Sequence, residues 1–208
     1  RAEDALEQAT EGLKHSGDHH PSLHLIAIRA YRAVDNHINS LTHALALIKL
    51  MPNEPLGFIR AGQDLIRINK YEKAKEVINS GLEKHVNNED LLKLSIHIAT
   101  ITNNIFSEID TISELIRLHP SADNLTKCRK LYRTLGFRQK ALSISKQLAQ
   151  QDTTPHQNES CELFSDYLAL GEPDQAFQLA AQTGLLTSNE QHRLQSLLCD
   201  EGPIALSP

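Results

Sequence analysis

Four histidines fall within ten residues: His15, His19, His20 and His24, with Asp18 among them. The pairs His15/His19 and His20/His24 have the i, i+4 spacing that lets one helix present two imidazoles to a metal ion. Gly17 and Pro21 break the cluster and place most of it in a turn, where histidines are ordinarily solvated, so no metal ligand is assigned. No GxSxG, HExxH, GxxxxGKS/T or GxGxxG motif occurs, and no Cys–His–acid set stands out. The chain is read as non-catalytic, with no cofactor. Cys128, Cys161 and Cys199 are widely spaced and odd in number, which indicates reduced thiols rather than a disulfide framework or a zinc knuckle.

The remaining candidates for chemistry are cations. The 208 residues carry a formal net charge of −5, a pI near 6.1 and a mean hydropathy of −0.36. Such a balance argues against general nucleic-acid binding, which needs many phosphate-neutralising cations. No apolar run approaches the ~18 residues of a membrane span. No signal peptide is visible; the location is left open, with the cytoplasm favoured. Aromatic residues are only 4%, with no Trp, and Leu, Ile and Ala must fill most of the core.

Apolar residues recur at spacings of three and four almost throughout, as in Leu41, Ala44, Leu45, Leu47 and Ile48 or Phe58, Ala61, Leu65 and Ile68. This is the signature of amphipathic helices. Pro21, Pro55 and Pro155 fit first helical turns, and Asn88 and Ser188 fit N-caps. Gly136 and Gly171 fall in breaks where positive φ is needed. The last residues, from Gly202 to Pro208, read as a tail.

The helices repeat. Pro52 and Pro120 are 68 residues apart, Ala74 and Ala141 67, Ala141 and Ala176 35, Tyr31 and Tyr132 101, and Tyr132 and Tyr167 35. All are multiples of about 34 residues, a period of helical-hairpin arrays. The register gives units at 21–54, 55–88, 89–121, 122–156 and 157–190, with a partial unit over 1–20 and a terminal helix and tail over 191–208.

The chain resembles the tetratricopeptide repeat family. Its clearest unit runs from Pro55 to Asn88, where Phe58, Ala61-Gly62, Leu65, Tyr71 and Ala74 match the family pattern. Leu125, Tyr132, Gly136 and Ala141 keep it in the fourth unit, and Tyr167, Gly171 and Ala176 in the fifth. The Gly62 slot holds Ile28, Ile96, Arg129 and Phe164 elsewhere, and the third unit has Glu108 at the usual Ala.

The resemblance implies an all-α, right-handed solenoid of antiparallel helix pairs that recognises proteins or peptides. It also implies that first helices line a concave groove. First helices of the first four units carry nine cations (Arg29, Arg32, Arg60, Arg67, Lys93, Lys127, Arg129, Lys130 and Arg133) against four acids (Asp64, Glu89, Asp90 and Asp123). Segregation of this kind steers oppositely charged partners. The expected function is therefore a non-catalytic scaffold holding an acidic peptide. The expected contacts are Arg29, Arg32, Arg60, Gln63, Arg67, Lys93, Lys127, Lys130 and Arg133; Arg129 occupies a core slot. The slots that hold Lys and Asn in the family's chaperone-binding clamp have no matching Asn here. The alternatives are an accessory module of a larger enzyme, such as a bacterial glycosyltransferase or sulfotransferase, and a self-association module.

Overall fold

The computed structural model describes residues 2–16, 19–151, 157–187, 189, 190, 192–194 and 196. Gly17, Asp18, Pro155, Ser188, Cys199, the tail from Gly202 and most of the terminal helix expected over 191–200 lie outside the described residues. Helix α1 (Ala2–Ser16) precedes five helix pairs. These are α2 (Pro21–Ala33) with α3 (His37–Leu50), α4 (Pro55–Arg67) with α5 (Tyr71–Lys84) and α6 (Glu89–Ile101) with α7 (Ile105–Leu118). Next come α8 (Ala122–Thr134) with α9 (Arg138–Gln151) and α10 (Gln157–Ala169) with α11 (Pro173–Thr183). The first helices of successive pairs start 34, 34, 33 and 35 residues apart. No strand occurs among the described residues.

Local signals set these boundaries. Pro21, Pro55 and Pro173 each occupy the first helical turn, where their missing N–H would be unpaired anyway. Asn88 accepts the Leu91 N–H at 3.0 Å ahead of Glu89 and Asp90, which suit the helix dipole. Asn36, Asn104 and Ser121 cap α3, α7 and α8 in the same way. One residue in each tight turn between paired helices has left-handed backbone: Asp35, Asn69, Asn103, Gly136 and Gly171. Gly136 and Gly171 meet that need without a Cβ; the other turns use Asp and Asn, which tolerate the region best among L-residues.

The chain divides into two compact units, residues 1–119 and 120–208. In the first, Ile28, Ala44, Leu47 and Ala61 form one cluster, and Leu65, Ala74, Ile78 and Ile98 a second. Phe58, Ile59 and Leu91 form a third. In the second unit Leu125, Ala141, Leu148, Leu163, Ala176 and Phe177 are buried, with Phe164 edge-on to Phe177. The bulky slot of the first helices is buried in every pair, whether filled by His24, Phe58, Leu92, Leu125 or Ser160. The small slot of the second helices is equally buried at Ser40, Ala74, Glu108, Ala141 and Ala176. Glu108 is accommodated there by a hydrogen bond from Thr100 Oγ1 at 2.6 Å. The third pair therefore keeps the common register despite its departure from the pattern.

Close approach explains the small residues. A Cβ on Gly57 would lie 2.9 Å from the Ile48 backbone nitrogen, so α3 and α4 are nearly in backbone contact there.

Candidate functional site

Two buried aspartates tie neighbouring helix pairs together. Asp64, on α4, is fully buried, hydrogen-bonds Ser40 Oγ at 2.5 Å and His37 Nδ1 at 2.9 Å, and forms an ion pair with Arg32 Nε at 3.2 Å. Asp166, on α10, receives Arg133 Nε at 2.7 Å and the Ser145 hydroxyl. The two aspartates are both the tenth residue of their helices, and Arg32 and Arg133 are both the twelfth of theirs. A buried carboxylate is tolerable only when paired and hydrogen-bonded, and each clasp supplies both from the preceding helix pair.

The clasps differ at their outer edge. Arg133 has its whole fork engaged, with Nη1 on the Glu162 carboxylate and Nη2 donating to the Glu162 backbone oxygen at 3.1 Å. Burial disfavours its charge, but hydrogen bonds to Asp166 and Glu162 outweigh this and raise its pKa. Glu162 is the sixth residue of α10, and the sixth residue of α4 is Arg60. The first unit thus places a cation where the second places the counter-ion. Burial, then the charges of Arg32 and Arg29, lower the Arg60 pKa, opposed by Asp64 and Asp90.

Arg29, Arg32 and Arg60 therefore form a like-charged group on first helices. Arg60 Nη1 donates to Gln63 Oε1 at 3.2 Å, holding both side chains on the α4 face. Next to them lies a cleft of about 460 Å³ lined by Arg32, Gln63, Ile66, Arg67, Leu94 and His97, with Asn69 at the turn. Cations in a last helical turn can simply offset the helix dipole. That accounts for Arg32 and Arg67, at the ends of α2 and α4. It does not account for Arg29 and Arg60, which sit in helix interiors. Among the described residues, Arg29 and Arg67 have no acidic partner, and Asp64 is the acid paired with Arg32.

The other expected contacts are placed differently. Lys93 pairs with Glu89 one turn earlier at 2.7 Å, and both are largely exposed. Each holds the other charged: the hydrogen bond from Lys93 lowers the Glu89 pKa, and the same bond raises that of Lys93. Lys127 is half-buried and Lys130 exposed, both on α8 in the second unit. Arg129 is buried, at 3% exposure, in its core slot. Asp64 lies beneath the face, where it pairs with Arg32 and offsets part of the repulsion on Arg60.

The histidines split. His24 is buried with its Nδ1 3.0 Å from His43 Nδ1, and His43 stacks on Tyr31, while His19 and His20 are exposed. Among the described residues, no three metal-ligating side chains converge. Cys128 is buried and Cys161 exposed, and neither is in a disulfide. A second cleft, about 300 Å³ between α5, α6 and α7, carries both signs of charge, with Lys75 on one wall and Asp110 and Glu114 on the other.

Solved structures share this fold. Over 93% of this chain and all of that one, the chain superimposes with a TM-score of 0.61 and 13% identity on "YrrB: a TPR protein with an unusual peptide-binding site". The fold is that of tetratricopeptide repeat proteins. MamA residues 41 to the end, from Desulfovibrio magneticus RS-1, match over 84% of this chain and 96% of that chain, with TM-score 0.56 and 12% identity. TTC0263, a thermophilic TPR protein of Thermus thermophilus, matches at TM-score 0.51 and 13% identity, over 81% of this chain and 91% of that one. No protein-family model and no curated protein sequence matches the chain. No described helix is long and apolar enough to cross a membrane.

Proposed function

We propose that this tetratricopeptide-type chain is a non-catalytic scaffold whose first-helix face in residues 1–119 binds an acidic segment of a partner protein. One observation carries the reading. Arg29, Arg32 and Arg60 are gathered around a single paired acid, Asp64 on Arg32, whereas the second unit adds Glu162 to Asp166 on the equivalent arginine. Like charges held together are unfavourable by themselves and become favourable when an anion arrives. Gln63 and Arg67 extend the face toward the cleft. Lys127 and Lys130 supply a further basic surface on the second unit. A peptide-binding role also suits the fold, since one solved neighbour is named for its peptide-binding site.

Isothermal titration with a capped Glu-rich peptide tests this at low and high salt. Binding should weaken steeply as salt rises, because the attraction is between exposed charges. A Glu-rich peptide that binds no better than its Gln counterpart would sink the reading.

A further inference from the structure

We propose that the cleft beside Arg32 reads an acidic residue next to an aliphatic one, with the Arg32 fork holding the carboxylate. The proposal rests on the acidic-segment reading above and names the ligand chemistry of the same face.

The second unit supplies the template. Arg133 is held through Nε by a buried aspartate, and its Nη1 grips a carboxylate that arrives from the side. Arg32 faces Asp64 from the corresponding helix position, its Nε in an ion pair with the carboxylate at 3.2 Å. The side carboxylate is missing because Arg60 stands in the place of Glu162. A ligand carboxylate that docks on Arg32 completes the pattern already built at Arg133. Arg60 and Arg67 flank that position, and a fork oriented by a buried partner has little freedom left to lose on binding. Asp64 thus acts as a positioning residue for Arg32.

The walls of the cleft specify the neighbour. Ile66 and Leu94 are half-buried aliphatic side chains that line the same space as the Arg32 and Arg67 guanidinium groups. A wholly polar ligand would leave their apolar surface wet. An aliphatic side chain adjacent to the acid covers it, and the cleft volume of about 460 Å³ lies within the range usual for ligand pockets.

The test compares capped peptides of Gly and Ser carrying one Glu–Leu, Leu–Glu, Glu–Ala or Gln–Leu pair, read by fluorescence anisotropy. The better of Glu–Leu and Leu–Glu should bind about tenfold tighter than Glu–Ala, the effect of burying one aliphatic side chain in part. Gln–Leu should bind as weakly or more so. Arg32→Lys keeps the charge beside Asp64 but loses the fork, so it should narrow the preference for Glu over Gln. Equal, salt-sensitive binding of the Leu and Ala peptides overturns this proposal and leaves the acidic-segment reading standing. No binding by any of the Glu peptides overturns both.

Discussion

Arg60 occupies on α4 the position that Glu162 occupies on α10, each beside an arginine already pinned by a buried aspartate. The clasp is therefore built twice, once closed by an acid and once bordered by a cation. Charge reversal at each position should move stability in opposite directions. Arg60→Glu should gain about 0.5–1 kcal/mol by pairing with Arg32, and Glu162→Arg should lose a similar amount, as expected of partly exposed ion pairs. Urea denaturation of both variants checks this. Destabilisation by both would show that the two positions are not equivalent.

Asp64 should matter more to stability than any cation around it. Asp64→Ala strips the acceptor from Ser40, Arg32 and His37 at once and leaves a partly buried guanidinium without its partner. The expected loss is about 3–5 kcal/mol, that of breaking a buried pair from one side. Asp64→Asn should cost less, because it still accepts from Ser40. A midpoint for Asp64→Ala unchanged from wild type would mean that the clasp is not needed to hold the first two helix pairs together.

Packing at the small positions gives a third test. Ala74 is fully buried in the slot that second helices offer their partners, and Ala74→Leu should overpack it by about 1–3 kcal/mol. Gly57→Ala should also destabilise, because its new Cβ meets the Ile48 backbone, which can yield only by moving α3 away from α4. Gly62→Ala should be milder. Its Cβ would lie 2.8 Å from Ile78 Cγ1, but a side chain can turn where a backbone cannot. Thermal unfolding ranks the three; a Gly62→Ala costlier than Gly57→Ala would reverse the argument.

The turn residues give a fourth. Asn69 has φ +59° between α4 and α5, so Asn69→Gly should be near neutral. Asn69→Ala should cost about 1 kcal/mol or more beyond Asn69→Gly, from the Cβ clash of left-handed backbone, since both variants lose the exposed acceptor for the Tyr71 hydroxyl equally. Equal midpoints for the Gly and Ala variants would contradict this.

The helix pairs were legible in the sequence because their punctuation is repeated: Pro at helix starts, Ala in the small slot, Tyr late in the first helices. Left-handed turn positions were legible only at Gly136 and Gly171. Asp35, Asn69 and Asn103 fill the same place with residues that also cap helices and carry charge, so type alone does not reveal them. The cations of the candidate face were legible one by one, but their pairing was not. Arg32 meets Asp64 and Arg133 meets Asp166 only when one helix pair is stacked on the next, and a count by helix treats Asp64 as surface charge. Glu162 stood outside a count that ended with the fourth unit, so the contrast between the two clasps was hidden. Ile66, Leu94 and His97 had no chemical signal of their own; their role comes from the cleft that α4 and α6 form.

The central claim is that an acidic segment binds the arginine face of residues 1–119. Its most direct test is the affinity of a capped Glu–Leu peptide for wild type and for Arg60→Glu/Arg67→Glu, measured across salt concentrations. The reversed face should bind at least about tenfold more weakly at low salt, with the difference shrinking as salt screens it. Equal affinity of the two proteins, unchanged by salt, would contradict the account.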